Sequence, residues 1–160
     1  MVDYNQLPAT SRVWIYQSNQ AFSDVQTQEI QQNLEHFVAQ WQSHGAPVKA
    51  WSGIRYHRFV IFVVDEDHEA PSGCSIDSSV AIIKDIEQKM NVNMFDRLNF
   101  AYKVDTNTVK SADREDFASL YNSNKIDDST TVFNNLVNTK ADLESKWEIP
   151  LGTSWHANMV

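Results

Sequence analysis

The chain has 160 residues, 42% hydrophobic and 21% charged, with four Gly and four Pro, which is the profile of one globular domain with its own core and not of a linker-rich or disordered chain. Its formal net charge of −8 repels polyanions, so nucleic acid is a poor partner. One cysteine cannot form an internal disulfide, no apolar run approaches the ~20 residues of a membrane span, and the opening MVDYNQLPATSR has no basic segment leading into an apolar one; the expectation is a soluble cytoplasmic protein without a span or a secretory leader.

Along the chain, Arg12 to Gln17 (RVWIYQ) is β-branched and aromatic and predicts a strand. Ser23 followed by Gln26 has capping-box spacing, and Ile30, Leu34, Phe37, Val38 and Trp41 share one helical face. His44-Gly45 is the expected stop. Val48 to Ile54 and Phe59 to Val64 predict a hairpin, or one strand bent at Gly53. Phe59 to Val64 is apolar on both alternating faces and therefore needs cover on both. After a polar loop, Ile76, Val80, Ile83, Ile86 and Met90 make the stripe of a second helix, with Asn91 as terminator. Leu98, Phe100, Tyr102 and Val104 alternate with polar or small residues, as in a strand.

This order predicts an α+β fold with a ferredoxin-like βαββαβ core at about residues 11–105, inside a single domain covering 1–160. Residues from about 106 to 160 predict a C-terminal helix/strand extension. It contains a short helix over Ser111 to Tyr121, a strand after Thr130, and a last helix opened by Thr139 with Asp142 and ending near Trp147. The extension is expected to cover the open face or edge of the sheet.

The stretch Gly73-Cys74-Ser75-Ile76-Asp77-Ser78-Ser79 holds the one cysteine at the start of the second helix. As a cap, Asp77 would accept a free backbone N–H, and the serines need no further role. As a site, Cys74 near the helix dipole would be a nucleophile with His57 or His68 as base. A third option is an anion held by Cys74, Ser75, Asp77 and Ser78, with Arg55 and Arg58 of the basic, aromatic hairpin nearby. The acidic loop around His68 lacks EF-hand spacing, and the five histidines include no HExxH pair, so no metal is expected. There is no GxxxxGK[ST], GxGxxG or GxSxG, so no cofactor is expected either. The segment Arg55-Tyr56-His57-Arg58-Phe59-Val60-Ile61-Phe62 follows part of an RRM third-strand pattern, with Trp14 on the first strand, which makes single-stranded RNA an alternative partner. Five tryptophans are generous for this length, and a homodimer contact would use some of them.

The segments SRVWIYQSNQAF, FVAQWQSHGAPVKAW, SGCSIDSSV, FDRLNFAYK, VFNNLVNTKADLESKWEIPL and SWHA together resemble a family of small uncharacterised bacterial proteins often carried under the label "ABC transporter ATPase". The resemblance spans nearly the whole chain and implies no activity, substrate or catalytic residue. The glycine-rich motifs of an ABC ATPase are missing here and the chain is short for its nucleotide-binding domain, so ATP hydrolysis is not expected. The sequence therefore predicts a non-catalytic binding or protein-interaction domain whose partner is a small anionic ligand or a protein. An enzyme using Cys74 is the competing class.

Overall fold

The structure is a computed structural model that describes residues 1–66 and 73–160, with side chains in the second stretch from residue 76 onward. Its organising strand is β5 (Phe59–Val64), in which every residue is buried. β5 runs antiparallel between β1 (Arg12–Gln17) and β4 (Ala50–Arg55), giving a sheet ordered β1-β5-β4. Because side chains alternate along a strand, β5 offers two apolar faces. Val60, Phe62 and Val64 pack under Ile30, Leu34 and Val38 of α1 (Asp24–Gln40) and under Ile83 and Ile86 of α2 (Gly73–Met90). On the other face, Phe59, Ile61 and Val63 meet Ala101, Val109, Phe133 and Trp147.

Ala101, Val109 and Phe133 belong to a second antiparallel sheet, ordered β7-β6-β8-β9, and Trp147 caps the C-terminus of the helix that precedes its last strand. This sheet is built from β6 (Asn99–Lys103), β7 (Val109–Asp113), β8 (Thr131–Phe133) and β9 (Glu148–Pro150). Its outer face carries Phe100, Tyr102 and Val132, covered by Phe117 of α3 (Arg114–Asn122), by Leu151, and by partly buried Trp155 from the tail. The layers run helices, sheet, sheet, then helix with the C-terminal 3₁₀ turns. A two-residue hairpin, β2 (Gln42–Ser43) with β3 (Ala46–Pro47), closes through His44 and Gly45, both at positive φ. Among the described residues there are four α-helices and three antiparallel sheets, a mixed α+β structure, and no helix is long and apolar enough to cross a membrane.

The expected strand order holds for β1, β5 and β4 but not for the fourth core strand. In a ferredoxin-like core β6 would lie beside β1; here it pairs with β7 and β8 in the other sheet. The cause is burial. Ala101 turns toward the β5 layer while Phe100 and Tyr102 turn toward α3, so β6 is enclosed on both faces. The C-terminal extension does cover the free face of the first sheet, as expected, and it does so as a second sheet with β6 in it.

Local capping follows the sequence closely. Ser23 and Gln26 form the reciprocal capping box, Asp113 caps α3, and Thr139 caps α4 (Lys140–Lys146) by accepting from the Asp142 N–H. Trp41 has left the helix and sits buried at its C-cap. On β4 the Trp51 ring folds back over Gly53, and a Cβ there would come within 2.6 Å of Trp51 Cζ2. Tyr4 closes on the same indole edge-on, at 5.1 Å between centroids. Gly53→Ala should therefore displace the indole and lower unfolding free energy by ~1–3 kcal/mol, read by urea denaturation together with a shift in tryptophan emission.

Candidate functional site

The sequence-nominated residues divide into those the structure places and those it does not describe. His68 and the side chains of Cys74 and Ser75 lie outside the described residues. α2 already starts at Gly73, so Asp77 is not its N-cap; Asp77 and Ser78 sit inside the helix on an exposed face. The buried stripe Ser79–Ile83–Ile86 continues helical spacing back toward Ile76, whose carbonyl accepts the Ser79 hydroxyl at 2.6 Å, so the helix begins earlier than a cap at Asp77 would allow.

The hairpin residues are held close together. Tyr56 and His57 both adopt positive φ, 55° and 53°, in the turn between β4 and β5, an unfavourable conformation for bulky side chains. Surrounding contacts impose it. The His57 carbonyl accepts from the Phe22 N–H at 2.6 Å, and Tyr56 packs on Phe133 and Trp147 while its hydroxyl donates to Glu148 Oε2 at 2.8 Å. Lys103 lies over the Tyr56 ring and pairs with Glu148; burial opposes its charge, but these two partners outweigh it and hold the ammonium above its usual pKa. His57 is exposed, 3.1 Å from Thr27 Oγ1 and 3.7 Å from Asp24.

The two arginines are occupied. Arg55 lies over the rings of Tyr4 and Trp147. Arg58 is buried, and its guanidinium donates to Ser18 O, Ser111 Oγ and Val109 O at 2.9 to 3.3 Å, so it is a tie between the sheets and not an open anion receptor. Burial lowers its pKa. Phe59 and Phe62, where an RRM would need exposed rings, are covered by the second sheet and by the helices.

One concave site lies along the outer edge of β1, and a second, more open one is lined by Ser78 with His36, Trp41 and Lys89. A cavity of about 400 Å³ is lined by all six β1 residues, by Met94 to Arg97 with Asn99 and Phe100, by Phe133 and Asn135 to Asn138, and by Trp155 and His156. Alternate side chains of a strand point to opposite faces, so a cavity touching six in succession must run along the strand's edge. No strand of the described residues pairs along that edge over its length. Among the described residues it carries one bridge, Arg12 with Thr139, closed by bonds from the Val13 N–H to Asn138 O at 3.0 Å and from the Lys140 N–H to Ser11 O at 2.8 Å.

A chain of amides sets the far end of this space. Trp147 Nε1 donates to Asn135 Oδ1, Asn135 Nδ2 to Gln17 Oε1, and Gln17 Nε2 to Asn99 O, at 2.9, 2.9 and 2.8 Å. It joins the two sheets by side chains. Trp155 is fixed by donation to Asn134 Oδ1 at 2.8 Å and stacks on His156 with centroids 3.8 Å apart. Arg12 lies over Trp14 at 5.4 Å, and Phe95 meets Tyr16 edge-on at 5.7 Å. Phe95 and Leu136 stay exposed, by 40% and 69%, which gives the cavity an apolar lip.

His156 is 1% exposed, and burial lowers its pKa from 6.5 to about 4. Its Nδ1 shares a hydrogen bond with Ser154 Oγ, 2.6 Å away. A histidine held that far down is a weak base at neutral pH, which does not suit activation of a serine. Among the described residues no group of three or more His, Cys, Asp or Glu could hold a metal ion. Comparison with known protein families, curated proteins and solved structures finds no match.

Sequence reasoning placed Trp14 on β1 but missed Gln17, Asn99, Asn135, Leu136, Trp155 and His156 as one site. They come from four separate segments, and the signal available was the set of amides beside aromatic runs. The buried imidazole has a pH signature. Between pH 6.5 and 4 the unfolded chain binds a proton that the folded chain refuses, so stability falls as pH drops through that window, by ~3 kcal/mol at most. Urea denaturation of the native protein against His156→Gln should show the difference at pH 4.5 and not at pH 7.5.

Proposed function

We propose that the protein is a non-catalytic binding domain of the cytoplasm, that its ligand site is the β1-edge cavity, and that the ligand combines an apolar body with an anionic group. The observation that carries this reading is the contrast in charge. The chain as a whole is at −8, yet the cavity is lined by two arginines, Arg12 and Arg97, against one aspartate, Asp96. Asp96 is also engaged locally, with Oδ1 accepting the Leu98 N–H at 2.9 Å. The volume and the aromatic walls suit a small organic ligand, for which pockets run from about 300 Å³ upward.

The finer reading of the fold supports the same place. β1, α1, β4, β5 and α2 read as most of a ferredoxin-like unit, and the cavity occupies the position of its fourth strand. Kinship with the small bacterial proteins that the sequence resembles belongs to this proposal and brings no activity with it.

Trp14 and Trp155 line the cavity, so tryptophan fluorescence reports on it directly. Titration with phenylacetate and octanoate, each beside its neutral amide, should give saturable quenching with the carboxylates favoured by about tenfold, the size of one charge-assisted contact. Arg12→Ala with Arg97→Ala should erase that preference, and Leu136→Asp should weaken all binding. Linear, unsaturable quenching identical for acids and amides would dismiss the cavity as a ligand site.

A further inference from the structure

Resting on that reading, we infer that the ligand is an extended peptide, which adds to the outer edge of β1 as the strand that β6 does not supply. Val13 donates outward to Asn138 O, away from β5. Backbone direction repeats every second residue, so the N–H and C=O of Ile15 and Gln17 lie on that same outer edge. The bridge at Arg12–Thr139 starts a ladder that the chain does not continue past Val13 among the described residues. Main-chain donors and acceptors in this spacing are matched by one partner chemistry above others, another extended backbone.

The cavity walls fit the side chains of such a strand. An added strand alternates its residues between the two faces of the sheet it joins. On the helix side the cavity offers Trp14 and Tyr16, with Phe95 against Tyr16; on the second-sheet side it offers Val13 and Ile15, with the amides of Gln17 and Asn135. The first wall is aromatic and the second mixes apolar side chains with amides, so the expected peptide turns large apolar side chains to the helix side and small apolar or polar ones to the other. Arg12 and Arg97 on the lip then take a carboxylate, from an acidic residue or from the peptide's C-terminus. An exposed strand edge is ordinarily blunted by charge, proline or a covering loop. Here the edge opens instead into a walled space with an apolar lip, which is the form of a receptor for one strand.

The test is selection of linear peptides from a displayed library on the full chain, followed by synthesis of the enriched sequence and a backbone N-methyl scan. Methylation at alternate residues, those facing β1, should weaken binding by about tenfold or more, with the intervening residues nearly unaffected. Amide exchange at Ile15 and Gln17 should slow in the complex, and Leu136→Asp should reduce affinity. Enriched peptides that tolerate methylation at every position, or no enrichment at all, would overturn the strand mode. If the small carboxylates still bind the cavity in that case, the broader reading stands and only the peptide is lost; if they do not bind, both fail. A concentration-dependent dimer that protects Ile15 and Gln17 without peptide would assign the edge to a second copy of the chain and overturn the peptide as occupant.

Discussion

The structure depends on a strand that cannot be left half wet. Six large apolar side chains in succession, Phe59 to Val64, are each worth ~1.5–3 kcal/mol when withdrawn from water. Exposing one face would forgo half of that, a loss comparable to the ~5–15 kcal/mol net stability of a typical domain. Two helices satisfy one face. The other needs a second apolar surface of similar breadth, and the C-terminal third of the chain supplies it together with β6. Recruiting β6 to that surface is what takes it away from β1. The cavity is therefore the counterpart of the packing on β5.

Joining two sheets through a dry layer raises the question of polar groups within it, and the answer is uniform. The amides of Gln17, Asn99 and Asn135 and the indole N–H of Trp147 are linked to one another. The buried cations bond to carbonyls instead of carboxylates. Lys140 donates to Tyr4 O and Leu7 O and lies over the Tyr4 ring, pinning the N-terminal segment against α4, while Arg58 reaches Ser18 O and Val109 O. Removing a charged group from water is costly, and carbonyl dipoles offset only part of the cost. The buried anion Asp65 is handled differently, by pairing with the Lys49 ammonium at 3.8 Å.

Much of this was legible where information is local. Ser23 with Gln26, Thr139 with Asp142, and the two-faced run Phe59–Val64 each state their role within a few residues, and each performs it. The start of α2 was misread because Asp77 is a good cap by type, whereas the helix had already begun one turn earlier. Arg55 and Arg58 looked like a basic receptor because charge in a hairpin ordinarily faces water; the Tyr4 and Trp147 rings took up Arg55, and β7 of the second sheet took up Arg58. The position of β6 was not legible at all. Alternation specifies that it is a strand with an apolar face, but its main partner β7 lies in a segment read as the start of a helix, and its contact with β8 comes from 30 residues later. The cavity, being what that choice leaves behind, inherits the same dependence.

Charge finally separates the ligands such a cavity can admit. At physiological salt the field of the whole protein reaches about a Debye length, ~8 Å, beyond its surface. A polyanion extends its charges well past the lip, where the net −8 repels them and only two arginines attract. A ligand with one carboxylate beside Arg12 or Arg97 and an otherwise apolar body feels the local cations at contact distance and presents little for the distant field to act on. A net charge that disfavours a polyanion is thus compatible with a short acidic apolar segment, and discrimination between them follows from the length over which charge is spread and not from its sign.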